Sequence, residues 1–119
     1  MSGVLALSLS TPVILTCPHG GDKQPPGVPN RRTGAQLPSA CRFETDTDRF
    51  TRTITRGVAQ GLLDVFGEMP YVVIANFNRA YIDANRSPKC AFEDRVAQQF
   101  YEEYHNTIGN FVAEMRAKN

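Results

Sequence analysis

One run of apolar residues, Tyr71–Ala75, limits the fold more than any other part of the chain. All five residues are apolar, three of them are β-branched, and Pro70 precedes them. A strand with one solvent-exposed face would alternate apolar and polar side chains. The unbroken run therefore predicts a strand buried on both faces, as in a parallel sheet covered by helices. Polar residues begin directly after it, at Asn76, so charge lies at the end of a buried strand.

Two strands and a helix are predicted upstream of this run. Apolar patterning favours strands over residues 4–9 and 12–17. Residues 18–46 are rich in proline and glycine and lack periodicity, which predicts a long loop. A helix follows, with Thr47 or Asp48 as its N-cap and Gly67 as the residue after its end. Its helical spacing comes from the apolar residues Phe50, Ile54, Val58, Leu62 and Val65.

A short strand and a long helix are predicted downstream. Residues 81–84 fit a short strand beside the central run, and a helix of roughly seven turns is predicted beyond Pro88. Strands and helices therefore follow one another in an α/β order. We expect one domain over residues 1–119, with a mixed, largely parallel sheet flanked by helices. The apolar stripe of the long helix comprises Phe92, Val96, Phe100, Tyr104, Ile108, Phe111, Val112 and Met115.

Composition and charge exclude several classes of function. The net charge of +1 gives no support to nucleic-acid binding, which needs a basic excess. The first ten residues lack a basic region and serines interrupt their apolar run, so neither a signal peptide nor a membrane span is expected. Cys17, Cys41 and Cys90 lack Cys-x-x-Cys spacing. This argues against a disulfide framework or a structural zinc knuckle and favours a reducing, cytoplasmic location.

Two strand ends carry candidate site residues. His19 follows an apolar strand and precedes Gly20 and Gly21, which allow a sharp turn or a close approach to a ligand. It is a candidate metal ligand, and the alternative is a turn histidine bonded to backbone. Cys17 could join it as a ligand, although small buried cysteines are common at strand ends.

The segment after the central strand is a candidate anion clamp. Arg79 and Arg86 would place two guanidinium groups near one strand end, and such planar forks suit a substrate carboxylate. Asn85 would add a neutral donor. Asp83 is expected to orient an arginine or cap a turn, which is a supporting role. The alternative for both arginines is a solvated surface position.

Four motifs, in this order and spacing, resemble the N-formylglutamate amidohydrolase family: Pro18-His19-Gly20-Gly21, Asp46-Thr47-Asp48, the segment from Arg79 to Arg86, and Tyr104-His105. The resemblance implies an α/β fold like that of the zinc exopeptidases. It also implies metal-assisted hydrolysis of an N-acyl amino acid such as N-formylglutamate. The family continues past its Tyr-His helix to further metal and pocket residues. The chain is therefore expected to lack the family's C-terminal portion.

The resemblance also implies a divalent metal ion, with zinc first, and His19 as a ligand. A carboxylate beside it would make a mixed site, and Asp48 is preferred to Asp46 for this role. Either aspartate could instead stabilise the start of the first helix. Asp22 imitates the His-x-x-Glu spacing of zinc carboxypeptidases but is not required by the family. No general base is identified.

The remaining candidates have structural alternatives. Tyr104 is expected in the core, and His105 is expected to be a structural histidine with a local hydrogen bond. If the site is incomplete, the chain would bind a small carboxylate ligand without turning it over, or complete its site as a homo-oligomer. The oligomer hypothesis depends on the two apolar helix stripes.

Overall fold

A computed structural model describes residues 3–7, 12–31, 37–38 and 40–118. The connection between the two upstream strands, with residues 8 and 9 of the first predicted strand, lies outside these residues. The helices and strands in chain order are β1 (Val4–Leu7), β2 (Ile14–Cys17), α1 (Thr51–Phe66), β3 (Tyr71–Ala75), α2 (Pro88–Ala91), a 3₁₀ turn (Arg95–Ala97) and α3 (Gln98–Lys118).

The described strands form a mixed sheet with β3 in the centre, in the order β1-β3-β2. β2 runs parallel to β3, with Ile14 opposite Tyr71, whereas β1 runs antiparallel to it, with Val4 opposite Ala75. The α/β class is confirmed. The expected mixed sheet is confirmed, but it is not largely parallel, because one of the two pairings among the described strands is antiparallel.

Burial of β3 on both faces is confirmed, since all five of its residues are buried. Its side chains alternate between two apolar clusters. Val73 and Ala75 pack on the face that carries Tyr101 and Tyr104 of α3. Val72 and Ile74 pack on the opposite face, which carries Ala59 of α1, together with Cys17. β3 therefore packs against α3 on one face and against α1 on the other, and these contacts fix the position of its end.

The predicted helix α1 is present, but its start differs from the prediction. Phe50, not Thr47 or Asp48, precedes the helix, in a left-handed conformation with φ of 68°. Asp48 cannot cap α1 through its side chain because that carboxylate contacts His19, and its carbonyl oxygen accepts from Thr51 N instead. Gly67 ends the helix as predicted, with φ of 74°.

The apolar stripe of α1 faces solvent in this structure. Ala59 is the buried residue of the helix. The exposed stripe comprises Phe50 at 73%, Ile54 at 59%, Val58 at 46%, Val65 at 74% and Phe66 at 71%. Helical spacing thus predicted the helix correctly, although Ala59, which is not part of the stripe, is the residue that packs with Val72 and Ile74 of the sheet.

Two downstream predictions are corrected. Residues 81–84 form turns rather than a strand, because the amide of Tyr81 bonds back to Asn78 O and the amide of Asp83 bonds to Ala91 O. The long helix begins at Gln98, so Phe92 lies before it. Between Phe92 and α3, the Asp94 side chain accepts from the Val96 amide and caps the start of the 3₁₀ turn.

Candidate active site

The site lies where β2 and β3 end at the same edge of the sheet. Because these strands are parallel, the residues that follow them meet there. Gly21 allows this meeting, since a Cβ at that position would overlap the backbone carbonyl of Asn76. The chain therefore leaves β2 pressed against the end of β3, with His19 just before the contact.

Asp83 is the centre of the arrangement and is fully buried. Its Oδ1 accepts from His19 Nε2 at 2.6 Å and from the amide of Asn85 at 3.1 Å. Its Oδ2 accepts from Arg79 Nε at 2.9 Å and lies 3.8 Å from Arg86 Nε. One carboxylate thus joins the residue after β2 to the arginines after β3.

The pKa of Asp83 lies well below its usual range. Burial opposes ionisation and alone would raise this pKa, but the hydrogen bonds from His19 and Arg79 and their positive charges outweigh it. Asp83 is therefore an ionised acceptor at neutral pH, and the ring nitrogen facing it, His19 Nε2, carries a proton.

The second ring nitrogen of His19 faces another carboxylate. Nδ1 lies 3.2 Å from Asp48 Oδ2, and the Asp48 side chain is 55% exposed whereas that of His19 is 5% exposed. As an imidazolium, the ring donates from both nitrogens to the two carboxylates; with Nε2 alone protonated, Nδ1 presents a lone pair to Asp48. Two electron-rich atoms at this distance require a proton or a cation between them.

The spacing of these two atoms suits a metal ion. Two ligands about 2.0–2.1 Å from a tetrahedral zinc ion are themselves roughly 3.3 Å apart. However, no group of three candidate ligands occurs among the described residues. His19 Nδ1 and Asp48 Oδ2 therefore provide two donors, one fewer than the usual catalytic number. Asp22, the alternative considered from sequence, pairs with Arg52 at 3.5 Å instead.

The clamp residues separate into buried and exposed members. Arg79 is 8% exposed, and Nη1, one of its two terminal nitrogens, donates to the Asp46 carbonyl at 3.2 Å. Arg86 is partly exposed and Asn85 is exposed, so both are open to a ligand. Asp46 contributes its carbonyl oxygen to this contact, whereas Asp48 contributes its carboxylate to His19.

Sequence reasoning missed Arg31, which is 3% exposed. Its Nη2 donates to the carbonyl oxygens of Glu44 and Arg79 at 2.5 Å each, which ties the long loop to the segment after β3. Burial lowers the pKa of Arg31, and the charge of Asp83 opposes this. The only usable signal was its position in a long proline-rich loop.

Three side chains of α3 complete the surroundings. Tyr104 is buried as predicted, and burial raises its pKa to about 12. His105 is hydrogen-bonded, but not locally as expected: its Nε2 donates to the carbonyl of Ala84, 21 positions away, at 2.8 Å. Tyr101, which sequence reasoning did not single out, donates its hydroxyl to the Arg86 carbonyl at 2.6 Å.

A disulfide joins Cys41 to Cys90, with 5.5 Å between their Cα atoms. The expectation that the cysteines form no disulfide is therefore wrong, and the argument from cysteine usage to a reducing compartment loses its basis. Spacing could not show the pairing, because the two residues are 49 positions apart. Cys17 is free and buried, with Thr51 Oγ1 3.5 Å from its Sγ, so its use as a metal ligand receives no geometric support.

A cavity of about 210 Å³ opens beside this cluster rather than within it. Gly3, Pro25, Phe77 and Phe100 are among its lining residues, and none of the site residues lines it. Ligand contacts at the cluster itself must therefore come from its exposed or partly exposed members, which are Asp46, Asp48, Asn85 and Arg86. Separately, none of the helices in the described part of the chain is long and apolar enough to span a bilayer.

A family model described as N-formylglutamate amidohydrolase matches residues 11–96. The match includes every site residue proposed from sequence and ends before Tyr104-His105. Searches of curated proteins and of solved structures found no match.

Proposed function

Because the chain belongs to the N-formylglutamate amidohydrolase family, we propose that it hydrolyses the amide bond of N-acyl amino acids such as N-formylglutamate. The observation that carries the proposal is the contact network of Asp83. His19, the candidate metal ligand, donates to this buried ion, and Arg86, the candidate carboxylate anchor, lies 3.8 Å from it. A zinc-exopeptidase-like fold is part of the same proposal.

The anchor for the substrate carboxylate is assigned to Arg86 and Asn85. Both are accessible, and a planar guanidinium suits a carboxylate with its two oxygens. Nη1 of Arg86 also donates to the Asn85 carbonyl, but its side chain is 29% exposed whereas that of Arg79 is 9% exposed. Arg79 was grouped with them from sequence, but Asp83 and Asp46 already occupy two of its nitrogens. We therefore assign Arg79 to orienting Asp83 rather than to direct substrate contact.

The residues that would hold a divalent ion, zinc in the first instance, are His19 and Asp48. Asp83 supports this role because it accepts from Nε2 and so leaves Nδ1 as the free donor to metal. When bound, such an ion polarises the scissile carbonyl and acidifies a water molecule. The residues of this chain contribute a fixed ring tautomer, a carboxylate ligand and a substrate anchor.

A second candidate function is carboxylate binding without turnover, or turnover only in a homo-oligomer that completes the site. The observation that favours it is the number of donors, since the described residues bring together two metal-binding groups and not three. The exposed apolar stripe of α1 offers a surface for self-association.

Metal content and formate release test the metal assignment. His19→Ala and Asp48→Asn should each lower bound zinc and the release of formate from N-formylglutamate. Asp22→Asn is the matched control, because its carboxylate pairs with Arg52, and it should retain zinc. Equal zinc in all four proteins would exclude His19 and Asp48 as ligands. Zinc without formate release, in monomer and oligomer alike, would favour the non-catalytic alternative.

Calorimetry with N-formylglutamate tests the anchor. Arg86→Lys should weaken binding although the charge is retained, because an ammonium group cannot reproduce the bidentate fork. Arg56→Lys, on the exposed side of α1, is the control. If the two variants bind equally well, Arg86 is a surface charge and not a substrate anchor.

A further inference from the structure

The segment that carries the proposed anchor is held from two sides. On one side Asp83 accepts from the amide of Asn85. On the other side α3 donates to the carbonyl oxygens of Ala84 and Arg86, the residues directly before and after Asn85. The backbone on both sides of the exposed amide side chain is thus bonded to α3.

The two donors lie on one face of α3. Tyr101 and His105 are four residues apart, so their side chains are neighbours on the helix, and their ring centroids are 4.5 Å apart. Tyr101 donates to Arg86 O at 2.6 Å, and His105 Nε2 lies 2.8 Å from Ala84 O. A carbonyl oxygen only accepts, so Nε2 of His105 carries the proton.

We propose that Tyr101 and His105 are positioning residues, which set the orientation of Asn85 and Arg86 toward the substrate carboxylate. This inference rests on the proposed function of that pair. The two acceptors belong to the peptide group before Asn85 and the peptide group after Arg86. Fixing these two groups fixes the Cα atoms from which the anchoring side chains project. Neither residue needs to touch the substrate.

The state of Tyr101 agrees with a donor role. Burial raises the pKa of its hydroxyl, and the charge of Asp83 raises it further, so the phenol keeps its proton at neutral pH. Tyr104 offers an internal comparison. It lies on the same helix and is buried too, but the partner of its hydroxyl is Thr16 of β2.

The test compares Tyr101→Phe with Tyr104→Phe, since each removes one hydroxyl from α3. Calorimetry with N-formylglutamate should show affinity about five- to tenfold weaker for Tyr101→Phe, the effect of one lost hydrogen bond on a preorganised anchor. Zinc content should not change. Tyr104→Phe should bind as tightly as the wild type even if its unfolding midpoint falls.

His105 is tested by loss and rescue. His105→Leu should weaken binding to a similar extent, and His105→Gln, which keeps an N–H donor, should restore part of the affinity. Equal affinity in the wild type, Tyr101→Phe and His105→Leu would overturn the proposal. So would an affinity loss that follows stability in every variant, including Tyr104→Phe.

Amide hydrogen exchange at residues 84–87 separates this inference from the proposed function. Faster exchange there in Tyr101→Phe, without a change in Tyr104→Phe, supports positioning whether or not a ligand is added. If the wild type fails to bind N-formylglutamate and Arg86→Lys behaves identically, the proposed function fails. Unchanged exchange in Tyr101→Phe would then overturn the positioning role as well.

Discussion

Replacing Asp83 with asparagine should destabilise the protein strongly, because this buried carboxylate accepts hydrogen bonds from three groups. These are His19 Nε2, Arg79 Nε and the amide of Asn85. Asparagine has nearly the same shape, but one of its two terminal atoms is a donor. In either orientation that NH₂ group would face an N–H group that Asp83 now satisfies.

The expected loss in the free energy of unfolding comes from removing the charge of Asp83, since asparagine has nearly the same volume. Arg79 has 9% of its side chain exposed and would lose its buried partner. Removing one member of a buried pair typically costs about 3–5 kcal/mol. With a urea m-value of about 2 kcal/mol per M, the unfolding midpoint should fall by roughly 2 M.

The pH dependence has a defined sign. The folded pKa of Asp83 lies below the unfolded value of about 3.9, so ionisation favours the folded state. This stabilisation is fully present above about pH 5 and is lost as the pH falls toward the folded pKa. The stability difference between the wild type and Asp83→Asn should therefore be largest near neutral pH and shrink below about pH 4.

Urea unfolding followed by circular dichroism measures both effects. Asp46→Asn is the control, because its exposed carboxylate lies in the same site, and it should stay within about 0.5 kcal/mol of the wild type. A loss below about 1 kcal/mol for Asp83→Asn, or a difference that does not vary with pH, would refute the reasoning that Asp83 is a paired, ionised core residue.

Three further changes test the fold around the site. The double variant Cys41→Ser/Cys90→Ser removes a cross-link between residues 49 positions apart, and the chain-entropy model predicts a loss of about 4 kcal/mol in the free energy of unfolding. Equal urea midpoints for this variant and the wild type under oxidising conditions would contradict the disulfide. Gly21→Ala should cost about 1–3 kcal/mol because its methyl group meets backbone of β3. Gly57→Ala, which has open space around it on α1, should instead raise the free energy of unfolding by up to about 1 kcal/mol. Thermal unfolding of both glycine variants is the check, and a lower midpoint for Gly57→Ala would contradict the helix-propensity argument.

The central strand and the position of the site could be predicted from the sequence. An unbroken apolar run has few structures open to it, and β3 is buried on both faces as expected. His19 and Asp83 follow the ends of two strands that prove to be parallel neighbours, so their meeting required no knowledge of side-chain contacts. Tyr104 is also buried as expected, whereas the hydrogen bond of His105 goes to Ala84 and not to a neighbour on its helix.

Strand direction and capping could not be read in the same way. The unbroken apolar run of β3 indicates burial on both faces but does not fix the direction of each neighbour, so the antiparallel orientation of β1 was not predicted. Residues 81–84 look like a strand because all of them except Asp83 are apolar, yet their backbone amides are used in turns around Asp83. Asp48 is of a residue type that often caps helices, but its carboxylate contacts His19 instead.

The long loop hid the contacts that matter most. Arg31 looks like one of several surface cations in sequence, and only the folded loop places it against the carbonyls of Glu44 and Arg79. The Cys41–Cys90 disulfide joins the same two segments. Long-range pairings of this kind have no period or spacing from which to predict them.

Asp83 explains why one residue can serve both halves of the proposed site. Its Oδ1 fixes the tautomer of His19, and its Oδ2 faces Arg79 and Arg86. The two oxygens share one negative charge, so a change that strengthens one set of contacts alters the electrostatics of the other. Anchoring a substrate carboxylate on Arg86 would reduce the positive charge facing Oδ2. The Asp83 carboxylate would then accept a stronger hydrogen bond from His19 Nε2, which keeps Nδ1 available as a donor to metal. Substrate anchoring and metal binding would in this way reinforce each other through a single buried ion.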